Sequence, residues 1–323
     1  MKAIVLTRYG SPANLQLQEV DRPQPKPNEI LVKVQASAVT TADTMMRRAD
    51  PPIARLFLGF SRPRNNIMGT GFSGTVVRTG DAVTQFVAGD EVFGETSVNF
   101  GANAEYIAIE EEAVVLHKPE SVSHEVAATL SDGPMTSYNF LMEIGKLQAG
   151  HRVLVNGASG SLGTAAVQIA KHYGAQVTGV TGTGNVKMVR SLGADEVIDY
   201  RITDFTQNGQ QYDLIYDTVG TLSFGQVKNS LTASGTYLSP VLGLGLLMDM
   251  IWTSLFGKKR AKFSATGMLS PKVLRGFLNH LISLVETGEL KSVIDKRYSL
   301  AQTPEGHRYI ETGHKKGNVV VVM

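Results

Sequence analysis

One segment in the middle of the chain, residues 153–170, restricts the fold more than any other. It reads as a short apolar strand, a glycine-rich turn and an apolar helix, VLVNGASGSLGTAAVQIA. The turn has the pattern Ala158-x-Gly160-x-x-Gly163, with Ala158 where dinucleotide sites usually have their first glycine. Gly160 would let the backbone approach a pyrophosphate, and Gly163 would let the helix pack closely on the strand. An ordinary strand-turn-helix corner can have the same pattern, so the neighbouring segments decide between the two.

The end of the next strand indicates which dinucleotide would bind. An NAD site has an acidic residue about 20 positions beyond the glycines, where it holds the ribose 2′-hydroxyl. This chain has Thr181-Gly182-Thr183-Gly184 there, followed by Lys187. Hydroxyl and ammonium groups bind a 2′-phosphate, which a carboxylate would repel. The sequence therefore predicts NADPH, although Lys187 also fits a solvated helix surface.

Two kinds of secondary-structure pattern along the chain indicate the fold class. Beyond the glycine turn, residues 196–200 and 212–217 are further apolar strands in a strand-helix alternation, which predicts a parallel, doubly wound sheet. Residues 1 to 120 instead have short β patterns and turn signals, which predict an irregular barrel. The length of 323 residues also favours two domains.

Composition excludes several classes of function. The chain has no cysteine, which removes disulfides, thiolate zinc sites and cysteine nucleophiles. A net charge of +2 argues against nucleic-acid binding. The apolar start is too short for a signal peptide, and the apolar segment 241–256 is too short to span a bilayer and contains Asp249. We therefore expect no integral membrane span and a cytoplasmic location.

Six motifs occur in order along the chain: GTGFSGTVV at 69–77, GDEVFG at 89–94, GANAEY at 101–106, NGASGSLG at 156–163, RSLGADEVIDY at 190–200 and YDLIYDTVG at 212–220. Together they resemble the zinc-independent quinone oxidoreductase branch of the medium-chain dehydrogenase/reductase superfamily. The resemblance implies an α/β fold: a GroES-like β-barrel catalytic domain (residues 1–122 and 268–323) plus a doubly wound Rossmann domain that binds NADPH (residues 123–267).

Departures from zinc-dependent relatives indicate the chemistry. Those relatives have a cysteine within the segment 38–43 and a His-Glu pair after the glycine at position 69, where this chain has Val39 and Thr70-Gly71. We therefore expect no metal, and hydride transfer from NADPH to a small lipophilic quinone or α,β-unsaturated carbonyl. Thr40 stands where the family often has Asn, and its hydroxyl can donate to a carbonyl oxygen. Tyr106 is a second catalytic candidate, as proton donor, although it also fits barrel packing.

The resemblance also implies which residues contact the cofactor. Along the pyrophosphate it places Ala158, Ser159, Gly160, Leu162 and Gly163, and around the 2′-phosphate Thr181, Lys187 and Tyr200. Toward the nicotinamide it places Thr136, Thr218, Val219, Ser239, Val241 and Asn318. Two of these have a structural alternative: Tyr200 fits a ring packed at a strand end, and Thr136 a helix threonine bonded to its own backbone.

An apolar stripe near the end of the Rossmann segment fits several functions. Residues 244–255 repeat apolar side chains at helical spacing, and Lys258-Lys259-Arg260 follow directly. A substrate lid, a dimer contact and a core helix are the commoner interpretations, and membrane-surface contact through 244–260 is another. The main hypothesis is an NADPH-dependent reductase. A catalytically weak NADPH-binding adaptor or a membrane-surface-associated protein is the alternative, and a homodimer is left open.

Overall fold

A computed structural model describes residues 1–50, 55–60, 63 and 65–323 of the chain, which form two compact units. The barrel unit comprises Met1–Asp132, Gly267–Glu286 and Ile294–Met323, and the Rossmann unit comprises Gly133–Thr266 and Thr287–Val293. The barrel unit thus reaches Asp132, whereas we predicted its first segment to end at residue 122. The physical reason is that the helix His124–Thr129 packs on barrel strands.

Within the described ranges, the strands are β1 (Lys2–Leu6), β2 (Leu15–Glu19), β3 (Glu29–Val39), β4 (Gly71–Thr79), β5 (Glu91–Glu95), β6 (Tyr106–Glu110), β7 (Val114–His117), β8 (Arg152–Asn156), β9 (Gln176–Thr181), β10 (Glu196–Asp199), β11 (Tyr212–Asp217), β12 (Leu231–Leu238), β13 (Arg260–Lys262), β14 (Ile294–Ser299) and β15 (Asn318–Val322). The helices are α1 (Thr41–Arg48), α2 (Arg55–Leu58), α3 (His124–Thr129), α4 (Gly133–Tyr138), α5 (Ser161–His172), α6 (Val186–Ser191), α7 (Phe224–Val227), α8 (Leu244–Leu255), α9 (Pro271–Glu286) and α10 (Thr303–Glu311).

The barrel unit is built around the long strand β3. Its sheet runs in the order β14-β15-β3-β4-β5-β7, and β6 also pairs with β3. Alternate β3 residues Ile30, Val32 and Val34 enter one apolar core, because side chains of a strand point to opposite faces in turn. Val319 and Val321 of β15 enter a second core. The apolar C-terminal strand is therefore buried, as the run of β-branched residues predicts.

The Rossmann unit contains one parallel sheet in the order β10-β9-β8-β11-β12-β13. The chain adds strands to one side of β8 and then crosses to the other side with β11. In such open sheets, ligands bind at the carboxyl ends of the strands where the order reverses, which here lies between β8 and β11. The predicted fold class, with a GroES-like barrel and a doubly wound Rossmann sheet, is confirmed. No helix in the described part of the chain is long and apolar enough to cross a bilayer.

Candidate cofactor and catalytic site

The glycine turn follows β8 and has one packed side and one open side. Gly157 has φ +76°, and the amides of Gly157 and Ala158 donate to the Val180 carbonyl at 3.1 and 3.0 Å. A Cβ on Gly163 would lie 2.1 Å from the Gly157 carbonyl oxygen, so α5 packs here with no room for a side chain. A Cβ on Gly160 would meet nothing closer than that oxygen, at 3.6 Å. Of these two glycines, only Gly160 therefore leaves its backbone open to the approach of a ligand.

The start of α5 fits a bound pyrophosphate. Gly160 is its N-cap, and among the described residues no side chain caps this helix end. The first amides of an α-helix have no partner within the helix, and they carry partial positive charge. A Cβ on Gly133 would lie 2.2 Å from Ser161 Oγ, so α4 lies directly against the same end of α5. Thr136, on α4, is half-buried at this place.

The residues predicted around the 2′-phosphate follow β9 and β10. Ser159 Oγ accepts a hydrogen bond from Asn185 Nδ2 at 3.2 Å, which links the glycine turn to the turn after β9. Lys187 and Tyr200 are exposed, and the Tyr200 ring lies against Gly182. Thr181 differs from them, because its hydroxyl is buried and has no partner among the residues described.

A carboxylate that sequence reasoning missed stands at this edge. Asp199 Oδ2 accepts a hydrogen bond from the Thr183 hydroxyl at 2.5 Å, and Oδ1 accepts one from the Arg201 amide at 3.0 Å. The Thr183 hydrogen bond, followed by the Arg201 amide, lowers the pKa of Asp199. The strand register could have revealed Asp199. It pairs with Thr181 in the parallel strands β10 and β9, so the ends of these two strands meet at one edge of the sheet. A carboxylate therefore stands at the strand edge where β9 ends at Thr181, beside part of the predicted 2′-phosphate site.

The nicotinamide side of the predicted site follows β11 and β12. Thr218 Oγ1 donates to the Gly157 carbonyl at 3.3 Å, which ties the end of β11 to the glycine turn. Val219 and Val241 expose 52% and 38% of their surface, so both present apolar contacts at this edge. Ser239 is buried, and its hydroxyl accepts from the Val241 amide at 3.3 Å. The structure thus brings Thr218, Val219, Ser239 and Val241 to the strand ends that a ligand would use.

Asp217 organises this edge and was not singled out in the sequence. Its fully buried carboxylate accepts hydrogen bonds from the amides of Val219, Gly220 and Leu222 at 3.2, 3.1 and 2.9 Å. The Tyr237 hydroxyl donates to it as well, at 3.1 Å. Asp217 therefore fixes the loop that carries Thr218 and Val219.

In the barrel unit, Thr40 and Asp43 form a closed pair at the start of α1. Thr40 Oγ1 accepts from the Asp43 amide at 3.0 Å and donates to Asp43 Oδ2 at 2.9 Å, while the Thr40 amide donates to the same oxygen at 2.8 Å. Both residues are buried, and Asp43 Oδ1 has no hydrogen-bond partner within the described ranges. Burial raises the pKa of Asp43 to about 7, against the opposing effect of the Thr40 hydrogen bonds.

Three further ionisable groups interact with Asp43. Glu95 is half-buried as a residue, but its Oε2 atom is fully buried and unpartnered among the described residues. Burial raises the pKa of Glu95 to about 8, and the charges of Asp132 and Asp43 add to this. Burial lowers the pKa of Lys315, although Asp132 and Asp43 oppose the effect. Asp43, Glu95, Asp132 and Lys315 are far apart in the sequence, so no local pattern predicted that they would interact.

The cluster of Asp43, Glu95, Asp132 and Lys315 lies beside the segment in which zinc-dependent relatives have ligands. Gly71 pairs with Glu95, and a Cβ on Gly71 would lie 2.4 Å from Ser131 Oγ. Thr70-Gly71 supplies no side-chain ligand that zinc prefers, and the chain has no cysteine. Among the residues that the structure describes, no group of three His, Cys, Asp or Glu side chains could hold a metal ion. The residues present at this place do not fit a catalytic zinc.

The two predicted catalytic residues do not lie together. Tyr106 pairs with Lys33 of β3. Lys33 precedes Thr40 by seven residues, and seven residues of extended strand span about 23 Å. The Arg22 guanidinium lies 3.8 Å from the Tyr106 ring centre. Asn318, by contrast, directly precedes the pair Val319–Val39 in antiparallel strands, which brings it opposite Thr40. The structure thus groups Asn318 with Thr40 and separates Tyr106 from both.

The fold and this arrangement of strand ends define a dinucleotide-binding dehydrogenase. Residues 26–120 match the family model "Alcohol dehydrogenase GroES-like domain", and residues 192–321 match "Zinc-binding dehydrogenase". The chain is 30% identical to a chloroplastic quinone-oxidoreductase homolog of Spinacia oleracea, over 99% of this chain and 98% of that protein. It is also 30% identical to the 2-methylene-furan-3-one reductase of Solanum lycopersicum, over 99% of this chain and 79% of that protein.

The chain therefore belongs to the zinc-independent quinone oxidoreductase branch of the medium-chain dehydrogenase/reductase superfamily, and it is an oxidoreductase. A solved structure agrees with this. The quinone oxidoreductase of Escherichia coli, crystallised in complex with NADPH, has a TM-score of 0.87 to this chain at 25% identity and covers 100% of both chains.

Proposed function

We propose that this protein reduces quinones or α,β-unsaturated carbonyls by hydride transfer from NADPH, without a metal ion. The observation that carries the proposal is the open backbone at Gly160, which stands at the uncapped start of α5 and at the point where the strand order reverses. The two relatives, a quinone-oxidoreductase homolog and a 2-methylene-furan-3-one reductase, support the same acceptor class.

The Rossmann unit would hold the cofactor by its own strand ends. The amides at the start of α5, with Ser159, Gly160, Leu162 and Gly163, would bind the pyrophosphate, and Ala158 would pack beneath it. Lys187 and Tyr200, the exposed pair after β9 and β10, would contact the 2′-phosphate. Asp199 opposes this binding, because two negative charges repel, and we expect it to weaken the preference for NADPH.

The remaining predicted contacts belong to the nicotinamide end. Thr218 and Val219 would contact the ring from β11, while Ser239 and Val241 would do so from β12. Thr136 would reach the same end from α4. When bound, NADPH supplies the hydride.

Thr40 and Asp43 would supply the proton that the acceptor needs after the hydride. When Asp43 is ionised, the Thr40 hydroxyl points its hydrogen at the carboxylate, as the 2.9 Å contact indicates. When Asp43 is protonated, it can donate to Thr40 Oγ1 instead, and the Thr40 hydrogen becomes available to a carbonyl oxygen. The acceptor oxygen then takes the Thr40 proton, Thr40 takes the Asp43 proton, and Asp43 regains one from solvent. Asn318, opposite Thr40, would orient the acceptor.

The test follows NADPH oxidation with a panel of quinones and 2-alkenals. We expect turnover with NADPH, and we expect Thr40→Val to lower kcat at least about tenfold because a hydroxyl donor is removed. Thr40→Ser is the matched control, since it keeps the hydroxyl and its capping role. Tight NADPH binding without turnover of any acceptor would favour the adaptor hypothesis instead. The homodimer and the cytoplasmic location stay predictions.

A further inference from the structure

Helix α8 of the Rossmann unit carries apolar side chains on both of its sides. Leu246 and Met250 face inward and pack on the core formed by β9, β11 and β12. The opposite side, which we call the α8 face, consists of Leu244, Leu247, Met248, Ile251, Trp252 and Leu255. These positions fall on one side of a helix with 3.6 residues per turn. A helix that is apolar all round is normally buried on all sides.

The α8 face is exposed over its whole length. Leu244 exposes 84% of its surface, Leu255 69%, Met248 65% and Trp252 63%. Phe256, directly after the helix, exposes 57%, and its ring centroid lies 4.6 Å from that of Trp252. Contiguous apolar surface of this kind marks an interaction site.

Lysines border the aromatic end of this face. Lys228, Lys258 and Lys259, together with Trp252 and Phe256, line a surface pocket of about 230 Å³. Lys259 Nζ donates to the Lys228 carbonyl, which holds the lysine-bearing loop at the end of the helix. Apolar and cationic groups therefore occur side by side on one surface.

The charges disfavour a second copy of this chain as the occupant of the face. In a parallel pair of α8 helices, the lysines would meet lysines. In an antiparallel pair, they would meet the N-terminus of the partner helix, which carries partial positive charge and has no acidic residue in its first turn. Neither arrangement offers the lysines an anion, whereas a bilayer with anionic lipids offers both an apolar interior and negative headgroups.

We propose that the α8 face, with Lys258 and Lys259, binds the surface of membranes that contain anionic lipids. The apolar side chains would enter the boundary between headgroups and acyl chains, and the lysines would contact the headgroups. Such a surface would also bring the enzyme to lipophilic acceptors dissolved in the bilayer. This role is independent of the hydride transfer proposed above, so each can fail without the other.

The chain offers an internal probe, because Trp252 is its single tryptophan. The purified full chain is mixed with vesicles of phosphatidylcholine alone, or with vesicles in which part of it is replaced by phosphatidylserine. We expect the Trp252 emission to shift to shorter wavelength, and the protein to float with the anionic vesicles at least about tenfold more than with the neutral ones. Lipids brominated along the acyl chain should quench this emission.

Two variant pairs separate the face from general surface effects. Leu244→Gln/Leu255→Gln should abolish flotation, while Val87→Gln/Met268→Gln, at positions that expose 65% and 81% elsewhere, should not. Lys258→Glu/Lys259→Glu should lower binding to anionic vesicles at least about tenfold, whereas Lys272→Glu/Lys291→Glu, at exposed positions elsewhere, should not. All four variants should keep the turnover of a water-soluble quinone.

Three outcomes would overturn the proposal. One is absence of vesicle binding by the wild-type chain. Another is equal binding to neutral and anionic vesicles. A third is a dimer in light scattering that Leu244→Gln/Leu255→Gln converts to monomer, without any binding of vesicles, because the face would then be an interface between copies.

Discussion

Gly160 and Gly163 lie three residues apart in the glycine turn, yet a methyl group should have opposite effects at the two positions. At Gly163 an added Cβ would lie 2.1 Å from the Gly157 carbonyl oxygen and 2.6 Å from Ala158 Cα, both backbone atoms of the turn. At Gly160 the nearest atom is 3.6 Å away, which is ordinary contact, and φ is −79°, which alanine adopts freely. Gly163→Ala should therefore disturb the fold, and Gly160→Ala should disturb only what binds there.

The expected magnitudes differ accordingly. Overpacking costs about 1–3 kcal/mol, so Gly163→Ala should lower Tm by roughly 2–12 °C at about 2–4 °C per kcal/mol. An alanine in place of a glycine N-cap costs about 0.5 kcal/mol, so Gly160→Ala should lower Tm by at most about 2 °C. The methyl of Gly160→Ala would nevertheless occupy the approach to the helix amides, and we expect the Kd for NADPH to rise at least about tenfold, or about 1.4 kcal/mol.

Thermal unfolding by circular dichroism and titration of NADPH fluorescence measure the two effects separately. Gly276→Ala, in the middle of α9 with nothing within 4 Å of its Cβ, is the control. It should leave NADPH binding unchanged and raise Tm by about 1–4 °C, because alanine is favoured over glycine by about 0.5–1 kcal/mol inside a helix. If Gly160→Ala binds NADPH as tightly as the wild type, the open side of the turn is not the pyrophosphate site. A wild-type Tm for Gly163→Ala would refute the packing argument.

Four further predictions follow from the contacts. Lys187→Ala should weaken NADPH at least about tenfold and leave NADH unchanged, since the exposed ammonium contacts only the 2′-phosphate in our account; equal losses in paired titrations would contradict this. Asp199→Asn should strengthen NADPH relative to NADH, because a negative charge leaves the pocket, and an unchanged ratio would refute the repulsion. Asp217→Ala should lower the free energy of unfolding by about 3 kcal/mol in urea denaturation, because three loop amides and the buried Tyr237 hydroxyl lose an acceptor; a loss below about 1 kcal/mol would show that the carboxylate does not hold the loop. Because the pKa of Asp43 is about 7 and its protonated carboxyl is the proton source, kcat should fall as pH rises through that value. This fall in kcat should disappear in Asp43→Asn. If it persists, Asp43 does not supply the proton through Thr40.

Glu95 adds a prediction on stability. Its folded pKa of about 8 lies above the ordinary value of 4.5, so the native state keeps a proton that the unfolded chain releases between those two values. Stability should fall as pH rises through this window. The Tm of Glu95→Gln relative to the wild type should therefore increase from the acidic to the alkaline end of the window. A constant difference would show that Glu95 titrates normally in the folded protein.

Local patterns in the sequence were enough to predict the elements that carry the cofactor site. The strand-turn-helix pattern at residues 153–170 gives β8 and α5, and the β-branched run at the C-terminus gives β15. Serine before proline at 270–271 marks the start of α9, and Gly288, with φ +77°, follows its end. These signals are local because helix and strand periodicity, caps and turns depend on neighbours in the chain.

The chemistry between distant segments could not be predicted in the same way. Asp199 reaches Thr183 only because parallel pairing aligns the ends of two strands. Asp43, Glu95 and Lys315 meet only after the barrel has closed, and burial then changes their proton affinity. A tertiary contact of this kind leaves no periodic trace in the sequence.

On our proposal, hydride passes from NADPH to a conjugated acceptor on this chain without a metal. The most direct test incubates the chelator-treated protein with a 2-alkenal and NADPH deuterated in turn at each face of nicotinamide C4, and analyses the product by mass spectrometry. We expect a saturated aldehyde that carries deuterium at its β carbon from one face only, with a rate that the chelator does not change. Tight NADPH binding without any deuterated product from 2-alkenals, and without NADPH oxidation by quinones, would contradict it.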